Sequence, residues 1–454
     1  IVAQDIINNV KLKCCGIKEY LFLYNCRTEK LTVLQPELYL LFRNNEFEIL
    51  RQKHPVFYDY LCKENYLVSE EQDEAQDIIE RWKEIDTSEN SFSVFLNPTL
   101  DCNMKCWYCY EKHRPKAAMS FKVQESVLRL LEEKMKNKKL VFINVGFFGG
   151  EPLLEFDRVV VPILEHVEKM CEANAKMLGV SFVTNGSLLS PERIDWLSKL
   201  KVASPITFQI AIDGDRHFHN LTKKSSSGMD SYTDVVKVIK MLVSKNMLVT
   251  VRLNTTHSNI ESYNNVLSDF KDLPHKQKQL LRFDIQQVWQ DLGYDSEVFI
   301  DQQKCLRKNL LEENFFVSSK EGPNRCYAER ENHVVVNFNG DLFKCTARDF
   351  ITDNSEGVLT NDGKLVWNEK HRERRLVVYG DEVCRECRIL PLCHGHCSQM
   401  KIEHQGKAGT CRFGYTEKEK IKRVENRIDS LIETLMINKK KEDEQKTEFV
   451  SSSQ

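Results

Sequence analysis

From Ser91 onward, short apolar runs alternate with longer stretches whose apolar residues recur at helical spacing. Short apolar runs between turn residues are typical of buried strands, and a period near 3.6 residues is typical of helices. The predicted strands are Phe92–Asn97, Leu140–Phe147, Gly179–Thr184, Pro205–Asp213, Leu248–Asn254 and Arg282–Val288. The predicted helices are Phe121–Lys136, Asp157–Lys176, Pro191–Leu200, Tyr232–Lys245 and Asn259–Lys271. This alternation predicts an α/β fold with a parallel sheet, and six repeats suit a partial (β/α)6 TIM-like barrel.

Residues 1–86 have a different pattern and are predicted to form a separate domain. Strands followed by small helices and a closing strand suggest a winged-helix-like fold, which is followed by an acidic linker helix, Asp73–Glu84. The predicted elements are a hairpin of Tyr20–Asn25 and Leu31–Leu34 around the turn Arg27–Lys30, helices Glu37–Arg43 and Pro55–Glu64, and the strand Tyr66–Val68.

The rest of the chain is predicted to contain a cysteine-rich domain and a charged end. Asn339-Gly340 predicts a hairpin turn, and the apolar residues of 416–438 recur at helical spacing. Lys439–Gln454 is highly charged and then serine-rich, so we expect it to be disordered. The expected parts are the barrel (87–290), a bridging region (291–323), the cysteine-rich domain (324–415), a helix (416–438) and a tail (439–454).

Composition narrows the class of protein. The chain has 454 residues, 41% hydrophobic and 29% charged, with a net charge of −2, which suits two or three globular domains. The near-neutral charge gives no reason to expect nucleic acid as a partner, and no apolar run is long enough for a membrane span. The 16 cysteines fall largely at metal-cluster spacings, so we expect a reducing, cytoplasmic location.

Three cysteines follow the first barrel strand in the pattern Cys102-x3-Cys106-x2-Cys109. The second strand ends in a glycine-rich turn that begins Phe148-Gly149-Gly150-Glu151. Three thiolates can hold a 4Fe-4S cube and leave its fourth iron open to another ligand. Bare glycine backbone can then lie beside that ligand. The alternatives are a zinc site, which usually takes four ligands, and a disulfide loop.

The pairing of this loop with this turn resembles the radical S-adenosylmethionine (SAM) enzymes. The resemblance implies that the open iron holds the amino and carboxylate groups of S-adenosylmethionine, whose one-electron cleavage yields a 5′-deoxyadenosyl radical. The family often has a serine where this chain has Ala211, so Gln209 or Asn254 is expected to substitute for it. The expected cofactor-binding residues are Tyr108, Gly149, Gly150, Glu151, Pro152, Thr184, Asn185, Gln209, Asp213 and Asn254.

A second set of seven cysteines resembles the SPASM domain of peptide-modifying radical enzymes. Its pattern is Cys326-x13-Gly340-x4-Cys345, then Cys384-x2-Cys387-x5-Cys393-x3-Cys397, and finally Cys411. The resemblance implies an outer auxiliary cluster on Cys384, Cys387, Cys393 and Cys411, and an inner one on Cys326, Cys345 and Cys397. Together with the radical SAM cluster this makes three 4Fe-4S clusters. The alternative is a pair of structural zinc knuckles.

Two departures from the sulfatase-maturing enzymes shape the functional expectation. Those enzymes often have another cysteine where Asn332 stands, so the inner cluster here is one ligand short unless Cys305 supplies the fourth thiolate. They also have an aspartate base where Thr346 stands, so the base of this chain is unknown. An open inner cluster suits the binding of a substrate thiolate.

The expected function is therefore that of a radical SAM peptide maturase, similar to the thioether-forming sactisynthases and ranthipeptide synthases. It would abstract hydrogen from a residue of a ribosomally made precursor peptide and install a cross-link, for which a cysteine thioether is the expected bond. The leader of that peptide would add a strand to the 1–86 domain, for which the alternative role is a packing cap. A flavodoxin- or ferredoxin-type protein would donate electrons. The alternatives are carbon–carbon cross-linking, formylglycine-type oxidation, and a zinc- or cluster-stabilised peptide-binding scaffold.

Overall fold

The computed structural model describes residues 6–10, 20–224, 230–292, 296–318, 325–379, 382–395, 397–403, 411 and 414–451. The chain divides into two compact units. One unit, here called the barrel unit, comprises residues 86–318 and 327–372. The other, here called the composite unit, joins the beginning of the chain to its end and comprises residues 1–85, 319–326 and 373–454.

The structure contains the following strands and helices in its described part. The strands are β1 Ile6–Val10, β2 Tyr20–Asn25, β3 Lys30–Leu34, β4 Ser91–Leu96, β5 Phe142–Phe147, β6 Met177–Thr184, β7 Thr207–Ile212, β8 Leu248–Thr255, β9 Leu281–Gln287, β10 Phe316–Val317, β11 His333–Val336, β12 Asp341–Phe343, β13 Gly357–Leu359 and β14 Leu365–Trp367. The helices are α1 Pro36–Arg43, α2 Phe47–Lys53, α3 Pro55–Lys63, α4 Glu74–Asp86, α5 Phe121–Met135, α6 Val161–Ala173, α7 Pro191–Leu197, α8 Arg216–Thr222, α9 Ser231–Ser244, α10 Tyr263–Phe270, α11 His275–Lys278, α12 Ser296–Glu312, α13 Glu369–Val377, α14 Glu382–Arg385, α15 Leu390–Cys393, α16 Ser398–Glu403 and α17 Glu417–Ser451.

The barrel unit is built on six parallel strands, β4 to β9, that neighbour one another in sequence order. Buried and half-buried residues alternate along β4 and β7. The fully buried face of β7 packs with helix residues such as Val235 and Ile239 in one large core. The predicted partial barrel is confirmed. Because every strand runs the same way, the loops at the strand C-terminal ends gather at one edge.

Part of the cysteine-rich region belongs to the same sheet as the barrel strands. The predicted hairpin is confirmed as β11 and β12, but β11 also pairs in parallel with β4. The hairpin thereby extends the barrel sheet, and β13 and β14 add two further antiparallel strands. The open edge of β4 has unpaired backbone groups, and pairing with β11 satisfies them.

The composite unit contains the predicted N-terminal hairpin, confirmed as β2 and β3, in a sheet of order β1-β2-β3. One face of this sheet packs on α1 to α3, with Leu23 and Leu34 in the shared core. The other face contributes Phe22 and Tyr24 to a second core with residues of α17. The winged-helix-like description of residues 1–86 stays a prediction.

Two boundary predictions are wrong. Of the predicted strand Tyr66–Val68 only Val68 forms a β-bridge, because Asn65 has a φ of 59° and the N–H groups of Tyr66 and Leu67 donate to the Leu61 carbonyl, which closes α3. The last helix does not end at residue 438 but continues to Ser451, since residues 439–451 contain neither glycine nor proline. In the described part of the chain, no helix is both long and apolar enough to cross a membrane.

Candidate active site

The cysteine loop begins directly after β4 and is held by hydrogen bonds around Asp101. The Asp101 carboxylate accepts from the N–H groups of Cys102 and Lys116, both at 2.9 Å. The Asp101 N–H donates to the Thr99 hydroxyl at 2.9 Å, and that hydroxyl donates to the Ala117 carbonyl. The start and end of the loop are thus tied together without any metal.

The glycine turn after β5 packs on the beginning of the cysteine loop. The N–H of Gly150 donates to the Thr99 carbonyl at 3.1 Å, and the N–H of Glu151 donates to the Asp101 carbonyl at 2.8 Å. A Cβ on Gly150 would overlap the Asp101 carbonyl oxygen, and Gly149 has a φ of 103°. Both positions therefore require glycine, because the two backbones approach closely.

Glu151 joins the ends of β5 and β6 and is completely buried. One carboxylate oxygen accepts from the Leu153 N–H at 3.0 Å and the Thr184 hydroxyl at 2.8 Å. The other oxygen accepts from the Asn185 N–H at 2.8 Å. Burial raises the pKa of Glu151, although these three donors oppose the shift. Glu151 is therefore an acceptor of protein N–H and O–H groups in the structure, and its contact with a cofactor stays a prediction.

Asn103, inside the cysteine loop, links that loop to the turn after β6. The Asn185 amide donates to the Asn103 side-chain oxygen at 2.8 Å, and the Asn103 amide donates to the Ser187 hydroxyl at 2.9 Å. The Asn185 oxygen also accepts from the Ser187 N–H at 2.9 Å. The sequence analysis did not single out Asn103, although its position between two predicted ligands was a usable signal.

Tyr108, Asp213 and Asn254, all predicted site residues, form one hydrogen-bonded group. The Tyr108 hydroxyl donates to Asp213 at 2.7 Å, and the Asn254 amide donates to the Tyr108 hydroxyl at 2.9 Å and to Asp213 at 3.0 Å. Burial and the Asp213 carboxylate raise the pKa of Tyr108 well above its usual value. The group connects the cysteine loop to the ends of β7 and β8.

Lys223 and His219 belong to this site and were missed by the sequence analysis. Both follow β7 on or just after α8, four residues apart, and the Lys223 ammonium lies 3.7 Å from Asp213. Lys223 is only 4% exposed. Burial disfavours its charge, but the neighbouring Cys106 and Asp213 outweigh that effect and raise its pKa. The Asp215 carboxylate, which caps α8, was the signal in the sequence for this helix.

The three cysteines of the loop share the environment of Lys223. Burial raises the pKa of Cys102 to about 12 and that of Cys109 to about 11, while the positive charge of Lys223 lowers both. Cys106 has a raised pKa for the same reason. Thiols of this kind lose their protons when iron binds. Within the described ranges, no group of three or more His, Cys, Asp or Glu side chains is arranged around the position of a single metal ion.

The four cysteines expected to hold the outer auxiliary cluster line one cavity. Cys384, Cys387, Cys393 and Cys411 line a small, largely apolar cavity in the composite unit. Ile389, Leu390 and Lys420 are also in its wall. Four thiols around one largely apolar cavity suit a cluster with four cysteine ligands. Cys397 does not line this cavity, as the expected division of ligands implied.

The residues expected at the inner auxiliary cluster fall in different units. Cys326 and Cys397 belong to the composite unit, and Cys345 belongs to the barrel unit. Thr346 is bound through its hydroxyl to that of Tyr327, and its carbonyl accepts from the Tyr110 hydroxyl at 2.6 Å. The Asn332 amide donates to the Ser88 carbonyl at 2.9 Å and so acts as a structural link.

The remaining predicted cofactor residues lie at the same edge of the barrel. Pro152 is buried at the start of the short helix that follows the glycine turn. Gln209 is on β7 and shares a face with Ala211, and the described residues include no hydrogen-bond partner for its side chain. Asn254, the other expected substitute for the missing serine, is already committed to Tyr108 and Asp213.

The part of the chain that contains this site matches a known protein family. The model of the radical SAM superfamily matches residues 96–268. A radical SAM cyclopropyl synthase, TigE of Paramaledivibacter caminithermalis, is 26% identical over 42% of this chain and 41% of its own. A cysteine-type anaerobic sulfatase-maturating enzyme of Clostridium perfringens is 23% identical over 70% of this chain and 91% of its own.

A likeness in fold covers more of the chain. The solved structure of native anSMEcpe with bound AdoMet and the Cp18Cys peptide superposes with a TM-score of 0.55 at 19% identity. It covers 77% of this chain and 99% of the other. The chain thus spans less than half of the length of TigE but most of the length of the sulfatase-maturating enzyme.

Proposed function

We propose that this chain, which is a radical SAM enzyme, modifies a residue of a ribosomally made precursor peptide by forming a cysteine thioether. When bound, the 4Fe-4S cluster and S-adenosylmethionine supply a carbon-centred radical that takes hydrogen from an unactivated carbon. The observation that carries the proposal is the site itself, in which the Cys102, Cys106 and Cys109 loop is locked to the Gly149-Gly150 turn. That construction presents three thiols and bare backbone at one edge of the barrel.

The residues of the site have separate roles in this proposal. Cys102, Cys106 and Cys109 would hold the radical SAM cluster, and Lys223 would place a positive charge beside it. Asp101, Asn103 and Glu151 keep the loop in position through hydrogen bonds. Preorganised ligands of this kind lose little entropy when they bind a cofactor.

A peptide substrate is supported by the relatives. The sulfatase-maturating enzyme acts, by its name, on a protein cysteine, and anSMEcpe binds a cysteine-containing peptide. Formylglycine formation is the second candidate, since that relative covers most of this chain. Thr346 argues against formylglycine formation, because it replaces the aspartate base with a hydroxyl, which in the structure is bound to that of Tyr327.

The beginning of the chain offers a place for the leader of that peptide. Strand β3 is an outer strand of its three-stranded sheet in the described residues. Beside it, the Tyr60 hydroxyl of α3 is 2.8 Å from the Thr32 hydroxyl of β3. Val56, one turn before Tyr60, is 83% exposed. An edge strand next to an exposed apolar residue suits a peptide that adds a strand.

The test is an anaerobic assay of the reconstituted protein. The unaltered protein should cleave S-adenosylmethionine to 5′-deoxyadenosine, and Cys106→Ala should abolish the cleavage while auxiliary iron remains. Cys62→Ser, at an exposed position of α3, is the matched control and should retain activity. Full cleavage by Cys106→Ala would contradict the radical assignment.

The product distinguishes the two candidate functions. Short cysteine-rich peptides encoded beside the gene are incubated with the protein and analysed by mass spectrometry. A thioether removes two hydrogen atoms and leaves the cysteine resistant to alkylation. A new aldehyde would instead support formylglycine formation. An unchanged peptide would contradict both candidate functions for that substrate.

A further inference from the structure

Arg252 on β8 is a cation at the barrel edge without a carboxylate partner among the described residues. It is two residues before Asn254 on the same strand, so both side chains lie on the same face of the sheet. The opposite face, with Val251 and Leu253, is packed in the core. Since Asn254 contacts Tyr108 of the cysteine loop, Arg252 lies on the face of the candidate active site.

The neighbours of Arg252 leave its guanidinium accessible. In the sheet register it lies beside Ala211 of β7, whose methyl group takes little space, and beside Asp284 of β9. Asp284 does not pair with it and instead accepts from the Gln286 amide at 2.8 Å. The Arg252 Nε donates to the Asn254 side-chain oxygen at 3.0 Å, and this is its one described hydrogen bond. The two terminal nitrogens therefore remain available as a pair of parallel donors.

A guanidinium with two free donors is suited to a carboxylate, which accepts two parallel hydrogen bonds. The carboxylate of S-adenosylmethionine is one source and an acidic residue of the substrate is the other. The Lys223 ammonium lies 3.7 Å from Asp213, which also accepts from Tyr108 of the cysteine loop, so Lys223 is the cation placed beside the predicted cofactor site. Arg252 lies instead on the next strand, β8, where it donates to Asn254.

We propose that Arg252 binds the carboxylate of an aspartate or glutamate in the substrate peptide, close to the residue that is modified. This inference rests on the proposed peptide substrate and specifies its chemical class. The pair of donors would fix both the register and the orientation of the peptide, because a bidentate contact allows one approach. Ala211 provides the room for that side chain.

The test uses the reconstituted protein with S-adenosylmethionine bound. The probes are two pools of N-acetylated, C-amidated hexapeptides carrying a neutral fluorophore and one cysteine. One pool contains an aspartate at varied positions and the other an asparagine at the same positions. Fluorescence anisotropy should show binding of the aspartate pool about tenfold tighter than the asparagine pool.

Arg252→Gln should reduce the ratio of the two affinities to about one. Arg252→Lys should retain part of the preference, because lysine keeps the positive charge but lacks the two parallel donors of a guanidinium. Arg282→Gln is the control. Arg282 lies near the start of β9, at the opposite edge of the sheet from the candidate active site, so this variant should keep the full preference. The affinity for S-adenosylmethionine, measured by equilibrium dialysis, should be unchanged in all three variants.

The outcomes separate the possible sources of the carboxylate. Loss of S-adenosylmethionine affinity in Arg252→Gln with an intact aspartate preference overturns the proposal and assigns the residue to the cofactor. Equal binding of both pools by the unaltered protein, or no binding of either, also overturns it. Absence of S-adenosylmethionine cleavage in the unaltered protein would contradict the proposed function separately, since the pools report binding alone.

Discussion

The two units hold their cysteines in contrasting ways. In the barrel unit the loop with Cys102, Cys106 and Cys109 is fixed by hydrogen bonds through Asp101 and Asn103. In the composite unit two of the four cysteines around the cavity, Cys384 and Cys393, are on helices of only four residues, α14 and α15. Short helices are marginal without tertiary support. The barrel site is thus positioned by the protein's own hydrogen bonds, whereas we expect α14 and α15 to depend on a cluster bound by their thiols.

The largest expected effect comes from breaking the prepared site. Gly150→Ala should reduce 5′-deoxyadenosine formation by at least about 100-fold, because a Cβ would push the turn away from the Asp101 carbonyl and displace the loop. Chromatography of the reaction products measures the loss. Leu154→Ala, at an exposed position just after the same turn, is the control and should keep the activity. An active Gly150→Ala protein would mean that the turn does not position the loop.

The second effect concerns the cavity of the composite unit. Removal of iron with a chelator, or Cys387→Ser, should increase hydrogen exchange in α14 and α15 by about tenfold or more, since metal binding contributes to folding there. Strands β4 to β9 should keep their protection. Mass spectrometry of hydrogen exchange measures both, and Cys62→Ser, an exposed cysteine of the same unit, is the control. Equal loosening of the barrel strands would contradict the contrast between the units.

A smaller effect is expected for peptide binding by the composite unit. Val56→Glu should weaken the binding of a leader-containing peptide by about tenfold without lowering thermal stability, because the side chain is 83% exposed. Leu376→Glu has the same exposure, on α13, and should leave binding unchanged. Isothermal titration with the candidate peptides measures both variants. Unchanged affinity in Val56→Glu would favour a packing role for this domain.

The smallest effect is a dependence of stability on pH within the barrel unit. Burial lowers the pKa of His219 to about 4, although Asp213 opposes the shift. The unfolded chain therefore takes up this proton at a higher pH than the folded chain does, and stability falls as the pH drops from about 6.5 towards 4. The loss is up to about 3 kcal/mol.

Thermal unfolding at pH 7.0 and 5.0 tests this dependence. His219→Asn should flatten the difference in melting temperature between the two pH values. His217→Asn, on the same helix, should leave it as in the unaltered protein. The same slope in His219→Asn and in the unaltered protein would show that other groups cause the dependence.

Hydrophobic periodicity was sufficient to predict the barrel, because each strand and helix is read from its own residues. It did not predict that β11 pairs with β4, since edge pairing is decided by which strands meet in space. It also failed at Tyr66–Val68, where the left-handed conformation of Asn65 turns an apolar run back onto its own helix.

The site was predicted unevenly for a similar reason. Cysteine spacing and the glycine pair identify the loop and the turn, since few other structures need those residues in that order. Lys223 could not be identified, because a lysine four residues after a histidine is ordinary on a solvated helix and only the fold shows that it is buried beside Asp213. The bonds of Glu151 to Thr184 and Asn185 likewise join residues of separate strands.

The shared core of the composite unit has a consequence for the order in which the protein forms on the ribosome. Phe22 and Tyr24, near the beginning of the chain, pack with Val424 and Ile428, near its end. These contacts are impossible until the last helix has been synthesised, whereas the barrel strands can pair as soon as residues 91–287 have emerged. During that interval the N-terminal sheet exposes its apolar face. Translation pauses or chaperone binding should therefore affect the yield of this unit more than that of the barrel, which completes its own core first.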